Sequence, residues 1–196
     1  MKKILCSSII ASFLSFSVAN DNTTFVADDL TGDTKLSCEA ILCLSSGTRP
    51  NECAPSISRY FSISFDDWSD TISARRNFLN LCPTGNIQDH SLNTLKNEVL
   101  VNMKTDCTAK YLNSKQETIQ KAITRTDATK CGTNDRGKAL TCTYEETHYR
   151  VSTQIPNYCK ALMQHEYTDK KFKYTCNKEY LPLDKFKASN QNCWVE

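Results

Sequence analysis

Apolar residues along this chain recur mostly at helical spacing, in short runs broken by turn residues, and give way to strand-like stretches late in the sequence. After an apolar segment from Ile4 to Phe16 comes a polar lead-in, residues 20–36, with no sustained period. Ser37 is a plausible cap for a helix whose face carries Cys38, Ile41, Leu42 and Cys43 and which Gly47 closes. A turn with Pro50 leads to a second short helix bearing Ile57, Tyr60 and Phe61. The clearest signal follows: Ser64 and Asp67 as a capping arrangement, then Phe65, Trp68, Ile72 and Leu79 on one stripe, ended by Cys82 and Pro83. From about His90, Leu92, Leu95, Val99 and Met103 form another stripe. Thr105 and Asp106 read as a break, and a weaker helix runs from Cys107 towards Ile123. Beyond Thr126, Cys131-Gly132 and Gly137 mark turns. The segments 141–144 and 172–175 are rich in strand formers, with a helix between them around Tyr158–Tyr167.

The fold class this predicts is mainly α, or α+β: short disulfide-linked helices with a small antiparallel sheet near the C-terminus. The expected organisation is 1–19 signal peptide, 20–36 flexible lead-in, 37–126 helical disulfide-linked core, and 127–196 a mixed C-terminal part of the same domain.

The N-terminus changes the picture first. Lys2 and Lys3, the apolar stretch and the small residues Ser17 and Ala19 form the three parts of a secretory signal cleaved after Ala19. The apolar stretch is broken by serines and is about a dozen residues long, short of the ~20 that span a bilayer, and no later segment is apolar enough to do so. The expected product is periplasmic, with no transmembrane segment after cleavage. Cleavage also removes Cys6, leaving ten of eleven cysteines: Cys38, Cys43, Cys53, Cys82, Cys107, Cys131, Cys142, Cys159, Cys176 and Cys193. An even count in an exported chain points to structural disulfides. Folding would then depend on a periplasmic disulfide oxidase, and on an isomerase if non-neighbouring cysteines pair. Cys38 and Cys43 point to different sides of a helix, whereas Cys43 and Cys53 flank a turn and form the favoured local pair. The other pairings stay open. The regular spacing of Cys142, Cys159, Cys176 and Cys193 lacks matching hydrophobic positions and is no repeat.

Charge and chemistry mainly exclude. Cleavage lowers Lys plus Arg from 24 to 22, equal to the 22 Asp plus Glu, so the net charge falls from +2 to zero. A nucleic-acid binder needs a cationic excess, so none is expected as a partner. No Cys-x-x-Cys pair supports thiol redox chemistry, and His90, His148 and His165 are too scattered for a zinc site. No cofactor or metal is expected. Glu39, Glu52, Asp66 and Asp67 are the carboxylates a wall-degrading glycosidase would use, but Glu39, Asp66 and Asp67 sit where acids offset helix dipoles. His165-Glu166 lacks the second histidine of a metalloprotease motif. The lysines from Lys160 to Lys187 alternate with acids and read as a solvated face. Trp68, Arg75 and Arg76 form the one candidate binding patch, although Trp68 also fits the apolar stripe.

The run 36–50, with Cys38, Cys43, Arg49 and Pro50, followed by Glu52-Cys53, Arg59-Tyr60-Phe61, Trp68-Ser69-Asp70, Ala74-Arg75-Arg76 and Leu81-Cys82-Pro83, resembles the TrbM/KikA/MpfK family of conjugal transfer proteins. The likeness continues more loosely through Asp106-Cys107 into the segment after Cys142. It implies a non-enzymatic periplasmic accessory of mating-pair formation and type IV secretion, which contacts envelope proteins of the conjugation apparatus. It carries no established active site, so Arg49, Trp68, Arg75 and Arg76 stand as candidate interface residues. Two other readings compete with this one: a secreted peptidoglycan-active hydrolase and a secreted toxic factor.

Overall fold

The computed structural model describes residues 30–83 and 89–196; the expected signal segment with its cleavage after Ala19, and most of the expected lead-in, lie outside the described residues. Helix α1 spans Gly32–Ser45, six residues longer at its start than the Ser37 cap predicts. Asp33 in its first turn suits the positive end of the helix dipole. It also accepts hydrogen bonds of 3.0 and 2.6 Å from Arg59, so an ion pair anchors residues the sequence pattern assigns to the lead-in. Ser37 is buried inside the helix and its hydroxyl donates to Thr34 O. Helix α2, Cys53–Ser62, packs on α1. It sends the fully buried Tyr60 inward, where the phenol donates to Leu100 O at 2.5 Å and burial pushes its pKa up to about 12.

Helix α3, Trp68–Leu79, begins where the capping residues place it: Asp67 accepts from Ser69 N at 2.8 Å. Its buried face, however, is Thr71, Arg75, Phe78 and Leu79, while Trp68 and Ile72 are only half-buried and Phe65 is 56% exposed. The expected stripe is therefore rotated. Helix α4, His90–Thr94, starts on Asp89, whose carboxylate accepts from Leu92 N, and runs on through a π-helical turn, Leu95–Val99, and a 3-10 turn, Leu100–Asn102. The change of winding brings Leu100 and Val101 into the core beside Leu95 and Met103, which a constant helical period does not foresee.

The largest departure lies after the short helix α5, Ala109–Asn113. Where the pattern suggests helix towards Ile123, the chain forms strand β1, Gln116–Thr126, paired antiparallel in unbroken register with β2, Thr141–Val151. Ile119 and Ile123, four residues apart, share a face in a helix and in a strand alike, so their spacing does not discriminate between the two. The span 37–126 thus ends in sheet. The turn between the strands holds helix α6, Ala128–Cys131. Helix α7, Asn157–Gln164, fills the position expected near Tyr158. Strand β3, Lys173–Tyr174, pairs with β5, Trp194–Val195, and β4, Leu181–Pro182, adds to β2 just before helix α8, Leu183–Ala188. The result is a mainly helical fold with small antiparallel sheets late in the chain.

Residues Thr31–Glu196 form one unit. Its core joins Ala40 and Leu44 of α1, Tyr60 of α2, Leu79 of α3, Leu112 of α5 and Leu162 of α7. Five disulfides staple it: Cys38–Cys82, Cys43–Cys53, Cys107–Cys159, Cys131–Cys142 and Cys176–Cys193. Cys38 and Cys43 bond to different partners, and Cys43 to Cys53 across the Gly47–Pro50 turn. The four evenly spaced cysteines enter three unlike bridges.

The base of the hairpin is fastened by Glu117. Its carboxylate accepts from Ser152 Oγ at 2.6 Å, Arg150 Nε at 2.8 Å, Tyr180 OH at 3.2 Å and Thr153 N at 3.3 Å. Burial raises the pKa of Glu117, but the bonds from Ser152, Arg150 and Tyr180 outweigh it and the net direction is down. A carboxyl depressed in the fold contributes stability above its unfolded pKa of 4.5 that is lost as pH falls through the folded value. We expect Glu117→Gln to cost about 1–2 kcal/mol at neutral pH and to flatten the acid limb of a urea-midpoint against pH curve.

Candidate functional site

Two clusters of chemistry stand out, one sealed and one open. In the sealed one, the turn after α1 places Arg49 so that its Nε donates to Cys43 O at 3.0 Å and its Nη1 meets Asp106 in a tight ion pair. Lys170, fully buried, lies with its Nζ 3.6 Å from Glu196 Oε1. Burial lowers the Lys170 pKa, and the charge of Arg49 lowers it further, against the opposing pull of Glu196 and Asp106. Arg49 Nη2, Asp106 Oδ1 and Lys170 Nζ lack hydrogen-bond partners among the described residues. Next to it, Gly47 N donates to Asp169 Oδ1, which draws the α1–α2 turn onto the segment after α7. Lys170 therefore departs from the solvated face expected of the lysines from Lys160 to Lys187. A fully buried amine is out of reach of a substrate, and the cluster joins four distant stretches of chain, at Arg49, Asp106, Lys170 and Glu196: it is a structural lock.

The candidate interface residues divide accordingly. Arg75 is 3% exposed and belongs to the core: its Nε donates to Ile63 O at 3.0 Å and its Nη1 to Met103 O at 2.6 Å. Its guanidinium lies over the rings of Tyr60, Phe61 and Trp68 at 4.7, 5.3 and 5.5 Å. Trp68 is half-buried beneath it and also faces Lys104. Arg76 ties α3 to the π-helical turn through Asn97 O at 3.2 Å. Arg49 is mostly buried in the lock. Arg49 and Arg75 are thus inward-facing rather than contact residues. An arginine off an apolar stripe reads as solvent-facing unless the helix ends that it caps are known.

The open feature is a groove of about 440 Å³ between the end of α2 and α3. Its walls include Ile63, Phe65, Phe78 and Leu81, with the Arg59–Asp33 ion pair at the rim. Arg59 lies over the Phe78 ring at 5.2 Å, and its hydrogen bond holds the Asp33 carboxyl below the usual range. Phe65 and Leu81, 56% and 46% exposed, are large apolar side chains left on this surface. The sequence pattern assigns Phe65 to the helical stripe, because nothing local shows that it precedes the cap.

Several of the carboxylates and histidines weighed for catalysis are engaged by neighbouring groups. Glu39 pairs with Lys35 one turn away, Asp67 caps α3, and Glu52 and Asp66 are exposed. Glu166 accepts from Ser91, while His165 Nδ1 accepts from Tyr167 N at 3.2 Å. His148 is buried between Glu146 Oε2, at 3.0 Å, and Tyr180 O. Among the described residues no three His, Cys, Asp or Glu side chains gather as metal ligands, and no helix is long and apolar enough to cross a membrane.

Across this whole arrangement, residues 29–195, the chain matches the model of one protein family, TrbM. It belongs to the TrbM family of conjugal transfer proteins. No curated protein and no solved structure matches it. The positions that suggest TrbM in the sequence now have physical roles in this fold. Cys38, Cys43, Cys53 and Cys82 staple α1 to the elements that follow it, Pro50 turns the chain into α2, and Tyr60 and Arg75 fill the core. In this TrbM member the firmest stretch of resemblance, residues 36–83, also forms nearly all of the open groove.

Proposed function

We propose that this chain is an exported, non-enzymatic accessory of plasmid conjugal transfer, which acts in the periplasm by binding envelope proteins of the mating-pair formation and type IV secretion machinery. The TrbM match along residues 29–195 carries the conjugation part of this reading. Export is supported by the signal pattern of residues 1–19 and by five cystines, which persist only in an oxidising compartment, and whose formation there calls for a disulfide oxidase and, for the long-range pairs, an isomerase. Action by contact is supported by the α2–α3 groove, where exposed Phe65 and Leu81 adjoin a charged rim. Interfaces concentrate their energy in a few such apolar anchors.

Deleting the gene from the plasmid is expected to reduce transfer from donor cells while plasmid replication continues. Phe65→Asp and Leu81→Asp, supplied in trans, should fail to restore transfer, since a charge in an apolar anchor position costs about 2 kcal/mol or more of binding. Both side chains face solvent, so the secreted variants should reach wild-type levels with the same melting temperature. Full complementation by both variants would remove the groove from the mechanism, and unchanged transfer in the deletion would remove the conjugal role.

A further inference from the structure

Strand β1 is an edge. The sheet order is β1-β2-β4, so among the described residues β1 is paired on one side only, along eleven residues and without a bulge. Which backbone groups face the open side follows from the bonds at its two ends. Ser152 N donates to Lys115 O at 2.8 Å, and Asp127 N donates to Leu140 O at 3.1 Å. Antiparallel ladders alternate, so the odd-numbered residues of β1 bond to β2 and the even-numbered ones, from Gln116 to Thr126, turn their N–H and C=O groups outward. A long unpaired edge of this kind is a template for another strand, and native sheets usually blunt it with proline, bulges, brevity or charged side chains. β1 has no proline, no bulge and is not short; its charged residues are Glu117, Lys121 and Arg125.

We propose that the partner is a second copy of this chain, with two hairpins joined through antiparallel β1 strands about a two-fold axis at Lys121. The parity of the outward groups permits this register, because Thr118 then bonds to Thr124 of the other copy and Gln120 to Ala122. On one face of the sheet the same register sets Ile119 opposite Ile123, twice by symmetry, and brings Arg125, paired in its own hairpin with Glu146, opposite Glu117, which Arg150 holds at the hairpin base. These are non-hydrogen-bonded positions, where side chains approach most closely. Ile119 is among the exposed large apolar residues and would be covered by Ile123 with Tyr144 beside it. The two Lys121 side chains meet on the axis; Glu146 of the same hairpin stands opposite each in the register, where its carboxylate also receives Arg125 Nη2 at 3.6 Å and His148 Nε2 at 3.0 Å. The hairpin lies apart from the α2–α3 groove, and the inference does not depend on the conjugal reading.

The test is sedimentation of the oxidised full mature chain at about 0.1 mM, a concentration that saturates a micromolar complex. A dimer is expected. Ala122→Pro removes an outward N–H while leaving every β1–β2 bond in place, and is expected to give a monomer with the wild-type circular dichroism spectrum. Arg125→Glu, which sets two carboxylates opposite each other, should weaken the dimer at least tenfold. As a readout that does not require Ala122→Pro to fold, Ile119→Cys and Ile123→Cys proteins are mixed under mild oxidation. The mixture should form an intermolecular disulfide that neither variant forms alone. A monomer at that concentration overturns the proposal, as does a dimer indifferent to Ala122→Pro, or crosslinking of Ile119→Cys with itself.

Discussion

Arg75→Ala is expected to lower the unfolding free energy by about 4 kcal/mol, a large share of the ~5–15 kcal/mol that holds a domain of this size. The magnitude follows from what the guanidinium touches. Ile63 and Met103 are the residues at which α2 and the 3-10 turn end, so the carbonyls that receive the Arg75 protons are ones that no helical N–H can reach. The negative ends of two helical segments therefore face one buried cation, with the rings of Tyr60, Phe61 and Trp68 stacked around it. Alanine would leave both carbonyls unsatisfied and open a cavity among the rings. Lysine keeps the charge but not the forked geometry, so Arg75→Lys should lose about half as much. Methionine restores volume without donors and should fall near alanine. Urea denaturation of the oxidised proteins checks all three, and a loss below about 1 kcal/mol for Arg75→Ala would reduce the residue to a surface contact.

Asp106→Ala should cost about 3–5 kcal/mol, because it leaves the mostly buried Arg49 without its carboxylate partner and removes one of the two negative charges that act on buried Lys170. Lys170→Met should behave in the opposite way. Burial of the Lys170 amine is offset only in part by Glu196 at 3.6 Å and by the charge of Asp106, and an apolar side chain of similar length removes that penalty, so the change is expected to be neutral or to stabilise by about 1 kcal/mol. The pair of variants separates a lock that depends on Asp106 from one that depends on Lys170. The pH dependence adds a second reading. Burial, with Arg49, depresses the Lys170 pKa in the folded chain below the 10.5 of an ordinary lysine. Between those two values the unfolded chain holds more protons, so this group makes stability rise with pH up to 10.5. Below the folded value its contribution is flat. Urea midpoints of wild type should therefore climb in that window relative to Lys170→Met, and parallel curves would mean that Lys170 is not desolvated.

The helices were legible where a local signal begins and ends them. Asp67 before Trp68 and the Cys82-Pro83 stop mark α3 to within a few residues, and the strand formers at Thr141 and Lys173 mark β2 and β3. The start of α1 was hidden because it depends on Arg59, twenty-six positions away. Leu42 shows a related limit: it belongs to the apolar run of α1 but is 70% exposed, since the face that packs is chosen by α2 and α3 rather than by α1 itself. Of the candidate contact residues, the arginines at 49 and 75 were visible as unusual but not as buried, while Phe65 and Leu81 were hidden among stripe and stop signals.

By itself the sequence determined the oxidised framework, the short local bridge between Cys43 and Cys53, the mainly helical character and the TrbM resemblance. All of these rest on residue types, counts and spacings within a few turns of chain. Only the tertiary structure decided that Arg75 and Lys170 are buried, that Cys38 reaches Cys82 and Cys107 reaches Cys159, and that Gln116–Thr126 is strand. The reason is common to all of them. Burying a charge, closing a long loop or choosing strand over helix at an ambiguous spacing is favourable only when a distant partner is in place, and that partner leaves no mark on the local pattern.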